Sequence, residues 1–172
     1  PLTSLKRTGP DLLTEGARLG AAGRLDEAIA LHLQAIALDP ADAQAHVNLI
    51  ALFGRTGRRA DAEAHYRAAV ALGTSLAEAH YNYGVLLAAA GRDDEAAEAF
   101  RRALTVDPFN AAAHNNLGAL RGRQGDLASA ALHYRRALAA DPRHPGARAG
   151  LARTMSALGS RSGGAAAGGP PG

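Results

Sequence analysis

A ruler of 34 residues runs through this chain and limits its fold more than any other feature. Gly23, Gly57, Gly91 and Gly125 fall on it, as do Ala28, Ala62, Ala96 and Ala130. Ala35, Ala69, Ala103 and Ala137 keep the same step, and so do His46, His80 and His114, and Asn48, Asn82 and Asn116. Pro40, Pro108 and Pro142 also fit, with Thr74 where a further proline would stand. Independent columns in one register mark a tandem repeat. A period of about 20–50 residues belongs to arrays whose units bury their apolar faces only against their neighbours.

Each unit reads as two helices. In the third, Ala77 to Ala90 has apolar periodicity and no breaker. Gly91 follows as a residue suited to the left-handed turn that ends a helix. Asp93, Asp94 and Glu95 then place negative charge at the start of a second helix, as the macrodipole favours. That helix runs to about Val106 and stops at Asp107-Pro108, because the residue before proline disfavours helix. The second unit lacks the proline but has Gly73, and Ser75 with Glu78 forms a capping box for the next helix. The expected organisation is an irregular segment 1–8, repeats 9–42, 43–76, 77–110 and 111–144, a capping helix 145–158, and a flexible Gly/Ala/Pro tail 159–172. Arg148 and Arg153 suit the polar outer face of a terminal cap.

Composition agrees with thin layers. Apolar residues make up 47%, but the large ones are few, with three Phe, four Tyr and no Trp. Small side chains let helices approach closely, whereas one thick globular core would draw on larger ones. There is no cysteine, which excludes disulfides and thiolate metal sites. No stretch approaches the roughly 18 consecutive apolar residues of a membrane span. No signal-peptide pattern opens the chain; the compartment is left unknown, with the cytoplasm as a default. The opening Pro in place of Met suggests an excised segment of a longer protein. Residues 1–108 hold 11 Lys/Arg against 14 Asp/Glu, a net −3; residues 109–172 hold eight Arg against Asp126 and Asp141, a net +6. One end is therefore electropositive, which suits an acidic partner or nucleic acid, or a solvated basic face.

On these residues the sequence resembles the tetratricopeptide repeat family, whose signature is W-x2-L-G-x2-Y, then A-x3-F, then P. The third unit supplies Tyr83-Gly84, Leu87, Ala96, Phe100 and Pro108; the fourth supplies Leu117-Gly118, Ala130, Tyr134 and Pro142. The second supplies Leu49, Phe53, Ala62 and Tyr66, and the first Gly16, Leu19, Ala28, His32 and Pro40. Departures are Leu12, His46, His80 and His114 at the Trp position, Ile50 for the packing glycine, and Arg121 where an aromatic is usual. The resemblance implies an all-α fold: a right-handed α-solenoid of four helical hairpins plus the C-terminal cap, with first helices lining a concave groove. The column Ala28, Ala62, Ala96 and Ala130 is expected where paired helices cross, and Leu49, Tyr83, Leu117 and Leu151 between units.

On the first helices, helical spacing sends one set of positions into the groove. These are Leu13, Thr14 and Ala17; Val47, Asn48 and Ala51; Tyr81, Asn82 and Val85; Asn115, Asn116 and Ala119. Asparagine is a poor helix former, and its amide both donates and accepts. A column of it can hold an extended peptide backbone while reading little of its sequence. This is similar to the asparagine ladder of O-GlcNAc transferase superhelices. The ladder would be Asn48, Asn82 and Asn116, broken at Thr14 and Gly150, with Tyr81, Asn115, Val85 and Arg123 as further contacts. Alternatively, the column bonds only its own neighbours. Basic residues for clamping a chaperone-tail carboxylate are absent from the columns of Leu13/Val47/Tyr81 and Gln44/Glu78/Ala112.

Catalytic and cofactor motifs are absent: no P-loop, no G-x-G-x-x-G and no G-x-S-x-G. No metal or cofactor is expected. One His per unit, on helices about 8–10 Å apart, cannot converge on an ion whose bonds to nitrogen are about 2.0–2.1 Å. His46, His80 and His114 therefore read as packing substitutes for Trp, and His65 and His133 as surface residues. Arg58-Arg59, Arg101-Arg102 and Arg135-Arg136 lack interleaved aromatics, so no nucleic-acid role is expected. The leading functional expectation is a non-catalytic scaffold binding an extended protein or peptide segment. The alternative is a substrate-recruiting arm of a larger enzyme such as a glycosyltransferase. Self-association through an apolar N-terminal end at Leu12 and Leu19 is a third reading.

Overall fold

The computed structural model describes residues 7–73 and 76–165, with backbone alone for residues 161–165. Among the described residues, all regular structure is α-helical. The first helices of the repeats are α1 (Gly9–Ala21), α3 (Ala43–Arg55), α5 (Ala77–Ala89) and α7 (Ala111–Arg123). Each is followed by its second helix: α2 (Leu25–Leu38), α4 (Arg59–Ala71), α6 (Asp93–Val106) and α8 (Leu127–Ala140). A further helix, α9, spans Pro145–Ala165. The chain divides into two compact units, Pro1–Ala96 and Ala97–Gly172.

Local signals set the boundaries. Thr8 and Asp11 form a capping box at α1. Asp42, Asn110 and Asp126 accept backbone N–H groups at the starts of α3, α7 and α8. Such caps satisfy donors that a helix leaves unpaired at its N-terminus. Between paired helices the turn glycine takes a positive φ, 74° at Gly91 and 79° at Gly125. The turn then closes with a long backbone bond, Arg92 N–H to Leu87 O at 2.9 Å and Asp126 N–H to Arg121 O at 3.0 Å. This is the left-handed C-terminal motif that glycine adopts without a Cβ penalty. Helix α6 ends at Val106, just before Asp107-Pro108. Thr74 and Ser75, and with Ser75 the expected capping box, lie outside the described residues. Helix α9 continues past Gly159 to Ala165, farther than the expected end at Leu158. The helix runs through Gly159, and an α-helical run tolerates glycine at a cost of about 1 kcal/mol.

In the first unit α1 pairs with α2 and α3 with α4, α2 packs on α3, and α5 lies against both α3 and α4. In the second unit α7 pairs with α8, and α9 lies against both. A following helix that covers both members of the preceding hairpin is the stacking rule of an all-α helical-hairpin solenoid. The alanine column sits where it was expected: Ala28, Ala62, Ala96 and Ala130 are completely buried. Ala28 and Ala62 join Leu19, Ile29, Leu49, Leu52, Phe53 and Leu86 in one core cluster. Leu151 packs onto the cluster of Ala130, Tyr134, Ala137 and Ala147. Arg148 and Arg153 on α9 are exposed.

Leu12 and Leu19 do not form the expected exposed apolar end. Leu12 is buried with Ala35 and Ala45, and Leu19 lies inside the main cluster of the first unit. Helices α2 and α3 cover both, so those two leucines offer no sticky surface to a second copy.

Candidate peptide-binding surface

In the first unit, Asn48 on α3 and Asn82 on α5 lie on helices that touch, and both are half-buried. In the second unit Asn115 and Asn116 on α7 are half-buried, and Arg123 is exposed at the end of that helix. Tyr81 is half-buried and Val85 is exposed. The amides are partly occupied. Asn48 Oδ1 accepts from Gln44 Nε2 at 3.2 Å. Asn116 Oδ1 accepts from Asn115 Nδ2 at 3.3 Å. In both cases the acceptor is satisfied from the same helix. The Nδ2 groups of Asn48 and Asn116 then have no partner among the described residues. What these side chains can offer a ligand is therefore N–H donation, which suits backbone carbonyls.

One expectation changes here, and another gains its reason. Val47, assigned to the groove, is 0% exposed and packs against Ile50, Tyr66, Ala69 and Ala79. The small Ala69 and Ala79 let α4 and α5 close over it. Gly150, one repeat after Asn116, cannot carry a ladder residue, because a Cβ there would lie 2.3 Å from the Tyr134 ring. Tyr134 fills that space.

The histidines form a second feature that the sequence reading placed incorrectly. His65 and His133 are not surface residues; each is half-buried and turned onto the histidine of its own hairpin. His46 Nδ1 lies 2.9 Å from His65 Nδ1, and His114 Nδ1 lies 3.2 Å from His133 Nδ1. The other ring nitrogens fix the tautomers. His46 Nε2 and His114 Nε2 approach the carbonyl oxygens of Pro40 and Pro108 at 3.4 and 3.2 Å. A carbonyl only accepts, so these Nε2–H groups donate, and each Nδ1 accepts from the facing His65 or His133. Burial holds His65 and His114 below the usual histidine range. His133 is pushed down to about 4, by burial first and then by His114, Arg136, Arg121 and Arg101. His80 instead bonds the Tyr66 hydroxyl at 3.0 Å. In the sequence 46/65 and 114/133 share one spacing two repeats apart, which marks them as equivalent positions without declaring a contact. Among the described residues no group of three or more His, Asp or Glu side chains is placed to hold a metal ion.

Fold and surface together define a class: a protein of tandem helical hairpins whose repeated faces present side chains in columns. A family model described as Tetratricopeptide repeat matches residues 52–111, 94–145 and 115–154, and a second, described as TPR repeat, matches residues 16–57. The chain belongs to the tetratricopeptide repeat family. No curated protein matches it. Among solved structures, PilF of Pseudomonas aeruginosa is similar with a TM-score of 0.81 and 22% identity, over 95% of this chain and 78% of that one. PilW, titled a widely conserved type IV pilus biogenesis factor, has a TM-score of 0.77 and 26% identity over 88% and 70% of the two chains. YrrB, titled a TPR protein with an unusual peptide-binding site, has a TM-score of 0.66 and 19% identity over 88% and 78%. For PilF and YrrB these identities establish a likeness of fold. Proteins of this family generally mediate protein–protein interaction, and no helix of the described residues is long and apolar enough to cross a membrane.

Proposed function

We propose that this chain binds an extended segment of a partner protein through the asparagine-bearing faces of its first helices. Asn48 and Asn82 do so in the first unit, and Asn116 in the second. The observation that carries this reading is the column itself. A poor helix former recurs in register, half-exposed, with its amide N–H groups at Asn48 and Asn116 unused by the described residues. Those donors match main-chain carbonyls, which every peptide offers regardless of sequence. Tyr81, Val85, Asn115 and Arg123 flank the column and supply side-chain contacts. A binding role rather than catalysis by this chain is supported by how its titratable groups are used. Glu15, Glu27, Asp61, Glu63, Glu95 and Glu98 pair with arginines, and four of the histidines pair with each other.

The test is affinity for a partner segment captured from the source cell, synthesised as a peptide, and measured by calorimetry against wild type and an Asn82→Ala, Asn116→Ala double variant. Each lost hydrogen bond is expected to cost about 0.5–1.5 kcal/mol of binding, with an unchanged circular dichroism spectrum. Unchanged affinity in the double variant refutes the role of the column.

A further inference from the structure

One slot in the repeat breaks its own rule. Leu19, Phe53, Leu87 and Arg121 are each 34 residues apart. The first three are buried apolar side chains, and the fourth is a half-exposed arginine. The consequence lies beside the histidine pairs. In the first unit the Phe53 ring stacks on His65, with centroids 5.4 Å apart and planes at 16°, and so fills the space next to that pair. In the second unit the corresponding space, beside His114 and His133, is an open cavity of about 630 Å3.

The lining of this cavity has one sign of charge. Arg101, Arg121 and Arg136 reach it together with the two imidazoles, and among the described residues no carboxylate does. Glu98 pairs with Arg101 at 2.9 Å, whereas Arg121 bonds the neutral Gln124 amide at 3.0 Å. Neither Arg121 nor Arg136 forms an ion pair among the described residues. Burial is the first cause of the depressed His133 pKa, and the further groups that lower it are cationic or imidazole. Apolar surface completes the site. Leu104 and Leu117 contribute to the wall, and Phe109, at 79% exposure, stands out as the most exposed large apolar side chain of the described residues. In a slot that elsewhere packs leucine or phenylalanine, Arg121 thus presents a guanidinium with no ion pair among the described residues.

We propose that this cavity is a second docking site, whose occupant is an acidic segment of a partner protein with an aromatic or large apolar side chain set between carboxylates. The carboxylates pair with Arg121 and Arg136, where planar guanidinium groups bind them bidentately. The apolar side chain packs on Phe109, Leu104 and Leu117. The site shares no residue with the asparagine column and stands independently of it. Its sign agrees with the charge of the sequence, net +6 over residues 109–172.

The experiment uses the whole chain and a fluorescein-labelled Glu-Glu-Phe-Glu-Glu peptide, with the Lys-Lys-Phe-Lys-Lys peptide and inorganic phosphate as comparisons. Anisotropy reports affinity, and the ring protons of His133 report location by NMR. The acidic peptide is expected to bind, to shift His133, and to weaken steeply between about 50 mM and about 500 mM salt. Arg121→Leu, which restores the residue type of Leu19 and Leu87, is expected to fold normally and to lower affinity about tenfold or more. Arg136→Gln is expected to act in the same direction. Equal binding by the lysine peptide, an unchanged affinity in Arg121→Leu, or an acidic peptide that leaves His133 unshifted would each overturn the proposal. So would phosphate alone matching the peptide in affinity and in the His133 shift, since the site would then be one for free anions.

Discussion

The substitution His32→Phe is expected to stabilise this protein, and more so in acid. His32 occupies the column that holds Tyr66, Phe100 and Tyr134 in the other repeats. It is 1% exposed, and its Nδ1 is buried with no hydrogen-bond partner among the described residues. Leaving a buried polar group unpaired costs about 1–3 kcal/mol. Phenylalanine removes that group and keeps a ring of similar size. Space is the first objection, because the His32 ring lies directly over Gly16, where a Cβ would be 2.8 Å from Nε2. The fourth repeat answers it: a six-membered ring, Tyr134, sits over Gly118 with the same closeness, 2.9 Å. The gain is thus about 1–3 kcal/mol, and at about 2–4 °C per kcal/mol for a chain of this size it raises Tm by about 2–12 °C. Burial also lowers the His32 pKa, with Asp42 opposing it. A depressed histidine pKa means that the folded state binds fewer protons than the unfolded one just below the unfolded value of about 6.5. The stability that depends on a neutral His32 is complete above that value and is lost as pH falls through it toward the folded pKa. A phenylalanine ring does not titrate, so the advantage of the variant grows from about pH 7.5 to about pH 5. Urea denaturation at both values reads this, with hydrogen exchange of the α1 and α2 amides as the local measure, since repeat arrays need not unfold in one step. A variant no more stable than wild type, or an advantage that shrinks in acid, refutes the reasoning.

Gly118→Ala is expected to destabilise by about 1–3 kcal/mol, because its Cβ would press on the Tyr134 ring. Gly122→Ala on the same helix meets only the Ala130 Cβ at an ordinary 3.9 Å and should be neutral or stabilising; thermal melts that reverse this order count against the packing account. The His133 ring is expected to titrate with a midpoint near 4 in an NMR series. Its pKa is depressed, so the stability tied to its neutral form is present above about pH 6.5 and disappears as pH falls toward 4. A midpoint near 6.5 would mean that the His114–His133 pair is open to water.

How much the sequence disclosed depended on whether one helix or two were needed to see it. Turn glycines and the stop at Asp107-Pro108 act within a few residues, and their helices end where those signals stand. The alanine column was legible because a crossing point recurs once per repeat. By contrast, Val47 and Asn48 are adjacent on one helix, and the period alone assigned both to the groove. Only the arrival of α4 and α5 buried Val47 and left Asn48 half-exposed. The pairing of His46 with His65 likewise required knowing how two antiparallel helices face each other, which a spacing of 19 does not declare.

The sequence by itself determined the repeat, the hairpins and their stacking class, because each rests on short-range propensity multiplied over tandem copies. Tertiary structure decided which side of each helix is surface. It turned two histidines inward, covered Leu12 and Leu19, and left an arginine-lined cavity where the first unit packs Phe53. The physical reason is that helical periodicity fixes directions relative to one axis. Burial and pairing depend on neighbouring axes, which only the packed side chains set.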